Sequence, residues 1–400
     1  MAELRAQILS ESHSKRKAFE LSYAITLAAV FFTGLASAGL LVLKPLIVGA
    51  LIDDYHFSTR QAGFVAGIEM VGIGISALIV ATIGSAWNRR LAILIGTTLG
   101  VLGSVGPVLS EAYTLILLSR LMAGIGCGLI ASIVLAVIGT TRDPDRTFGL
   151  YYVCSFAGSA LLVPAALWML AHFNVAGAYV LLALLLLVVY VAAQRIPAAF
   201  SDLRGDGRHH TPPPLPVMAA VLSLALSLVF WIGFGGVWAF VERFGVQAGL
   251  GHAAIGGVLS IGPLASIAGA LTASVLHIRL GRTRLLAASI ALAMLSVVLV
   301  GWTSTMTAFT VGVLIFSFIW PLFLAYLGGS MAVLDPAGRI VAMSITSQTI
   351  GMAIGPAVAG VLAGHFGYVA IALLGLVCFT AAFALLAPLV SKVRATADLT

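Results

Sequence analysis

The chain is 400 residues long, 61% of them hydrophobic and only 9% charged, with a mean hydropathy of +1.12. An ordinary soluble domain carries about 25% charged residues, so this supply cannot cover a water-facing surface. Apolar stretches longer than about 18 residues make it a helical membrane protein and not a β-barrel. The net charge of +7 does not by itself mean an anionic partner, because in a membrane protein the placement of basic residues matters more than their sum.

In chain order, apolar runs predict helices at 21–52, 61–86, 91–110, 113–141, 148–170 and 172–194, then at 217–242, 252–277, 284–302, 305–334, 340–363 and 368–391. The first run is too long for a signal-peptide core and is expected to be retained. The organisation is an N-terminal segment 1–20, a six-helix bundle 21–194, a polar linker 195–216 containing Pro212-Pro213-Pro214, a second bundle 217–391 and a tail 392–400. With a cytoplasmic N-terminus, 17 of the 21 Lys and Arg residues fall on the cytoplasmic side; Arg60 and Arg243 fall outside, and Lys44 and Arg120 within spans. One missed helix would scramble this asymmetry, so it supports twelve spans with both termini cytoplasmic. Asp143-Pro144 recurs as Asp335-Pro336, Pro164 as Pro356 and Arg90 as Arg282, all at an offset of 192. That spacing marks two parallel repeats.

Several chemistries lack their residues. Cys127, Cys154 and Cys378 sit in apolar runs without a CxxC pair, and the eight His are scattered, so no metal and no cofactor are expected. No nucleophile–base pair and no Gly-x4-Gly-Lys-[Ser/Thr] run of a nucleotide-driven pump is visible. Neither enzyme nor nucleic-acid binding is expected.

The fourth helix carries Arg120-Leu-Met-Ala-Gly124-Ile-Gly126-Cys-Gly128, a small-residue face on which another helix can approach closely. The second loop reads Gly84-Ser-Ala-Trp-Asn88-Arg89-Arg90, with Arg279-Leu-Gly281-Arg282 as its second-half copy, and Gly355-Pro356 through Gly360 lies in helix eleven. Together with the repeats, these features resemble the major facilitator superfamily. The resemblance implies an all-α fold of twelve membrane helices in two six-helix bundles, and secondary transport by alternating access. In that family the loop helps latch a gate, which makes Gly84, Asn88, Arg89, Arg90 and Arg282 gating candidates. Asn88 stands where the family has Asp, and the closing Gly-Arg of the first copy is missing. Both loops can also be read as simple positive-inside anchors. The helix-five counterpart, Gly158 to Pro164, lacks most glycines of the antiporter pattern, which counts against drug efflux.

Polar residues within spans are the candidates for function. Lys44, Glu69 and Arg120 lie at one depth, roughly 10–12 Å below the outer surface at 1.5 Å per helical residue, and are expected to converge and face the cavity. Two cations and one carboxylate leave a positive charge that an anionic substrate would neutralise. A substrate carboxylate drawing one cation away would let Glu69 take up a proton. The alternatives are that Lys44 snorkels outward alone and that Arg120–Glu69 is a structural bridge. Phe230, Phe234 and Trp238 recur at i, i+4, i+8 with Trp231 alongside, and Phe316 and Trp320 lie in helix ten; these rings face either a cavity or lipid. Gly235, Gly236 and Pro321 are candidate bending points. Gln348, between Ser347 and Thr349, and Tyr151-Tyr152 offer neutral hydrogen-bonding groups, while Glu242-Arg243 reads as an interface pair. The expected activity is proton-coupled transport of a small organic anion with an aromatic or apolar portion, across a bacterial inner membrane. A proton-driven multidrug efflux antiporter is the alternative. The expected partners are the small-molecule substrate, protons and the lipid bilayer, and the protein is expected to act as a monomer.

Overall fold

The computed structural model describes residues 2–83, 87–141, 144–196, 217–280, 282–302, 304–335 and 339–397. Gly84, Asp143, most of the linker, Gly281 and Pro336 lie outside them. The N-terminal half comprises α1 (Ala2–Val42), α2 (Lys44–Asp53), α3 (Thr59–Ile83), α4 (Arg89–Leu109), α5 (Tyr113–Gly139) and α6 (Pro144–Ala193). The C-terminal half comprises α7 (Val217–Ala239), α8 (Val241–Gln247), α9 (His252–Leu280), α10 (Arg282–Trp302), α11 (Met306–Leu334), α12 (Arg339–Phe366) and α13 (Val369–Ala397).

Among the described residues, eleven stretches are long and apolar enough to cross a bilayer. One of them, Arg146–Ala193, has 48 residues, roughly twice what a 30 Å core needs. It turns at Phe173 and at Asn174, which adopts φ 55°. A positive φ is uncommon for a residue with a side chain and marks a sharp turn of the backbone here. This stretch therefore crosses twice, and the total is twelve, with both chain ends on one face, called here the terminal face. The outer surface is apolar, with Leu78 61%, Leu161 76% and Val191 72% exposed. Such side chains would be a liability in water and belong against lipid.

Two expectations about helix ends need correction. Residues 2–20 are helical and belong to α1, whose apolar span begins at Ser22, and the predicted helix 21–52 breaks at Leu43. The predicted 217–242 ends at Ala239, breaks at Phe240 and resumes as the short α8. The first break follows from Pro45 in the first turn of α2. A proline has no N–H to give and clashes with the carbonyl four residues back, here Leu41.

That freed carbonyl does not go unpaired, because Trp238 of α7 donates its Nε1–H to Leu41 O at 3.1 Å. The same arrangement recurs twice. Pro107 frees Gly103 O, which accepts from Arg120 Nη2. Pro321 frees Ser317 O, which accepts from the Ser266 hydroxyl at 2.9 Å. Prolines survive within membrane helices where neighbouring groups re-satisfy the backbone in this way.

Close packing rests on small residues. A Cβ at Gly124 of α5 would run into the Glu69 carbonyl of α3, and one at Gly126 into the Gly96 carbonyl of α4. Glycine here lets three backbones touch, which replaces the hydrophobic drive that lipid cannot supply. Between the halves, Gly63 and Gly67 of α3 meet the Pro356 and Ala353 carbonyls of α12 in the same manner.

Candidate functional site

A cavity of about 500 Å³ lies between the two halves, within the usual range for a small-molecule site. Its walls come from α1 and α2 (Val42, Leu46), α6 (Tyr151, Tyr152, Phe156), α7 (Trp238), α9 (Pro263, Ser266) and α11 (Trp320, Pro321). Among the described residues that line it none is charged, and the polar groups are tyrosine and serine hydroxyls and indole N–H. Of the aromatic candidates, Trp238 and Trp320 line it. Trp231 and Phe234 are buried one layer behind, with Trp231 edge-on to Phe234 at 5.1 Å and Phe234 edge-on to Trp320 at 5.6 Å. Both pack edge-on behind the Trp320 ring. Gln348, on α12, does not line this cavity.

Phe156 and the serines Ser155, Ser159, Ser266 and Ser317 also line the cavity and were not among the candidates. The signal was present as periodicity. Tyr152, Phe156, Ser159 and Val163 fall at i, i+4, i+7, i+11, and Leu259, Pro263, Ser266, Ala270 and Ala273 repeat the pattern on α9. A one-faced helical stripe is legible in sequence; whether it faces a partner helix, lipid or a void is not.

Lys44, Glu69 and Arg120 meet inside the N-terminal half. Arg120 Nη1 lies 3.3 Å from Glu69 Oε1, and Lys44 Nζ lies 3.7 Å from Glu69 Oε2. Lys44 Nζ donates to the Ala66 carbonyl of α3 at 2.8 Å, and the Arg120 guanidinium packs over the Tyr179 ring of α6 at 4.5 Å. The three side chains are buried and none lines the cavity, so the expected direct exposure to solute is corrected. The reason is local: Val42 and Leu46 face the cavity, and Lys44 between them turns the opposite way, onto α3.

The gating candidates take mostly structural places. Gly235 packs against Met352 and Gly236 against the Gly355 carbonyl, both on α12, and α7 runs through them without a break. They serve close approach, and the expected bend falls instead at Phe240. Pro321 lines the cavity within a continuous α11. Asn88 caps α4, its side chain accepting from Leu91 N at 3.1 Å; Asn and Asp cap about equally well, so Asn serves where the family has Asp. Arg89 is buried. Arg90 Nη2 donates to Gln194 O at 3.0 Å and Ile196 O at 3.3 Å, at the C-terminal end of α6, where a cation also complements the helix dipole. Arg282 donates to Gly329 O of α11 at 3.0 Å. These arginine contacts each stay within one half.

Among the described residues, an ion bridge between the halves sits on the face opposite the termini. Arg243 of α8 donates from Nη1 and Nη2 to both oxygens of Asp53 at the end of α2, at 2.7 and 2.5 Å. Its Nε and Nη2 donate to Glu242 at 2.5 and 2.9 Å, and His252 Nδ1 lies 3.4 Å from Glu242 Oε1. Burial alone would lower the Arg243 pKa, but the hydrogen bonds it donates to Asp53 and Glu242, with the charges of those carboxylates, outweigh it and raise it. Arg243 therefore stays charged at every working pH. Asp53, Glu242 and His252 are near enough to ligate one metal ion, yet the guanidinium already occupies both carboxylates. Gly49 of α2 makes the bridge possible, because a Cβ there would collide with the Glu242 carboxylate and come within 2.9 Å of Arg243 Nη2.

Two six-span halves around a solute-sized cavity, tied together at one face, have the build of a membrane transport protein. The chain belongs to the Major Facilitator Superfamily, whose model matches residues 26–335, and it is a multi-pass membrane transporter of that family. It is 25% identical over 127 residues to the putative uncharacterized transporter YgaY of Escherichia coli K12, a match covering 32% of each chain. Among solved structures it resembles the nucleoside transporter NupG, with a TM-score of 0.73 and 14% identity over 92% of this chain and 98% of that one. It also resembles the human organic anion transporter MFSD10 (TETRAN), with a TM-score of 0.66 and 16% identity over 91% and 99% of the two chains. At these identities the likeness concerns the fold alone.

Proposed function

We propose that this protein is a monomeric secondary active transporter of a bacterial inner membrane, with both termini cytoplasmic. It works by alternating access and moves a small organic anion with an aromatic or apolar portion, in exchange or in company with protons. The observation that carries the reading is the aromatic cavity between the halves, where Trp238, Trp320, Tyr151, Tyr152 and Phe156 surround space for one small solute. Flat apolar walls with a few hydroxyls suit a ring-bearing solute better than a sugar, whose many hydroxyls would lose hydrogen bonds on entry. The anionic part rests on the buried cluster of two cations and one carboxylate behind Val42 and Leu46. Its surplus positive charge attracts an anion through a thin low-dielectric wall.

The uncharged lining favours a second reading, proton-driven efflux of lipophilic compounds. Proteoliposomes with an imposed pH gradient separate the two, using benzoate as aromatic carboxylate and tetraphenylphosphonium as lipophilic cation. Benzoate accumulation at least tenfold above that of protein-free vesicles, unaffected by tetraphenylphosphonium, is the expected result. Tetraphenylphosphonium transport without benzoate transport would establish efflux instead.

A further inference from the structure

Lys44, Glu69 and Arg120 share one sealed compartment, and each protonation state leaves a different charge there. With all three ionised the sum is +1. Protonating Glu69 would raise it to +2, two cations facing each other away from water. Releasing a proton from Lys44 would lower it to zero and leave the Arg120–Glu69 pair intact. Buried charge is tolerated only where it is paired, so the neutral state is the accessible alternative and the doubly positive one is not.

The contacts agree. Lys44 Nζ stands 3.7 Å from Glu69 Oε2, beyond hydrogen-bonding distance. Its close contact is the Ala66 carbonyl at 2.8 Å, which accepts from an amine N–H as well as from an ammonium. Glu69 Oε1 instead faces the guanidinium of Arg120 at 3.3 Å, a group that does not deprotonate in proteins. Among the described residues, no carboxylate other than Glu69 is within ion-pair distance of Lys44. α6, which packs on α2, brings Tyr179 beside Arg120. The charges of α8, Glu242 and Arg243, meet α2 at Gly49 and Asp53, both more than one turn further on. α7 and residues 22–42 of α1 carry no charged side chain.

We infer that Lys44, and not Glu69, carries the transported proton, while Arg120 and Glu69 form the fixed ion pair that holds it. When the compartment opens during the transport cycle, the Lys44 ammonium gives one proton from Nζ to the water admitted there and keeps an amine N–H on Ala66 O; reloading reverses the step. Val42 and Leu46, two residues to either side of Lys44, line the cavity. An anion bound there stabilises the ammonium form, so that one proton accompanies one negative charge. This inference rests on the proposed proton coupling and replaces the expectation that Glu69 is the carrier.

The chain has only four lysines, Lys15, Lys17, Lys44 and Lys392, so the test is direct. Purified full-length protein is labelled with carbon-13 at lysine Cε and, in a second sample, at the Glu carboxyl carbon. Nuclear magnetic resonance spectra are then recorded from pH 5 to pH 9, with Lys44→Arg and Glu69→Gln assigning the two signals. The expected result is a Lys44 signal that converts between ammonium and amine in this range while Glu69 stays ionised. A Lys44 signal that remains ammonium throughout overturns the inference, whatever Glu69 does. In proteoliposomes, Lys44→Arg should keep benzoate counterflow and lose at least tenfold of its pH-driven accumulation. Full pH-driven accumulation by Lys44→Arg would also overturn it. A converting Lys44 signal in wild-type protein that ignores benzoate would sink the organic-anion reading alone.

Discussion

At the scale of single residues, the cost of a buried charge decides most of what matters here. Glu69 compensates two cations, whereas Lys44 is the surplus one, so removing each should have unequal effects. Glu69→Gln strands Arg120 and Lys44 together and should cost about 3–5 kcal/mol, the usual penalty for breaking a buried pair. Lys44→Met leaves a neutral pair in a well-filled site and should cost less than half as much. Chemical denaturation of the detergent-solubilised variants measures both. The reverse order would mean that Lys44, rather than Arg120, is the main partner of Glu69. The sequence showed these three charges at one depth. Which way each side chain points was not legible there; Lys44, in the first turn of α2 beside Pro45, turns towards α3.

Helical elements here meet through what proline and glycine leave open. Pro45, Pro107 and Pro321 each free a carbonyl that a side chain of another element takes up, from Trp238, Arg120 and Ser266 respectively. Gly49 clears the space in which α8 docks its Glu242 and Arg243 against α2. Gly49→Ala should therefore loosen the distal bridge without touching the cavity. The check is to label Ala38→Cys, a cavity position, in a background without the native cysteines. A membrane-impermeant maleimide is applied from the distal face. Labelling should rise several-fold when Gly49→Ala is added, and an unchanged rate would show that the packing of α3 on α12 holds that face shut without the bridge. Arg243 and Glu242 were readable as an interface pair from their place at a span end. Their partner Asp53, 190 positions away, was not, because nothing local links the two.

On the scale of the whole molecule, an even number of crossings leaves the described ends of the chain on one face. The sequence reading assigns 17 of the 21 basic residues to that side, and the positive-inside tendency supports the proposal that it is the cytoplasmic one. A reporter enzyme active only in the cytoplasm, fused after Thr400, should be active, whereas one requiring export should be silent. The opposite pair of results would invert the topology and the direction assigned to the distal bridge. The two halves join along α3 with α12 and α6 with α9, and the cavity lies between these seams.

What the sequence determined by itself was everything that depends on local chemistry or on hydropathy. The number of spans and the glycine face around Gly124 are properties of consecutive residues, the first set by how a helix must satisfy its backbone in lipid, the second by how closely helices can approach there. Helix ends at Leu43 and Phe240 were missed because apolar runs continue through them. Tertiary structure alone decided which face of each helix looks into the cavity. Every face of these helices is apolar, so lipid, a neighbouring helix and an uncharged cavity demand the same side chains. That is why Trp231 and Trp238, on one helix, have different surroundings, one sealed in the core and the other at the cavity wall. The buried charges were visible because they are rare in such a chain, and their seclusion from the cavity was not, since it is set by the packing of α2 against α3.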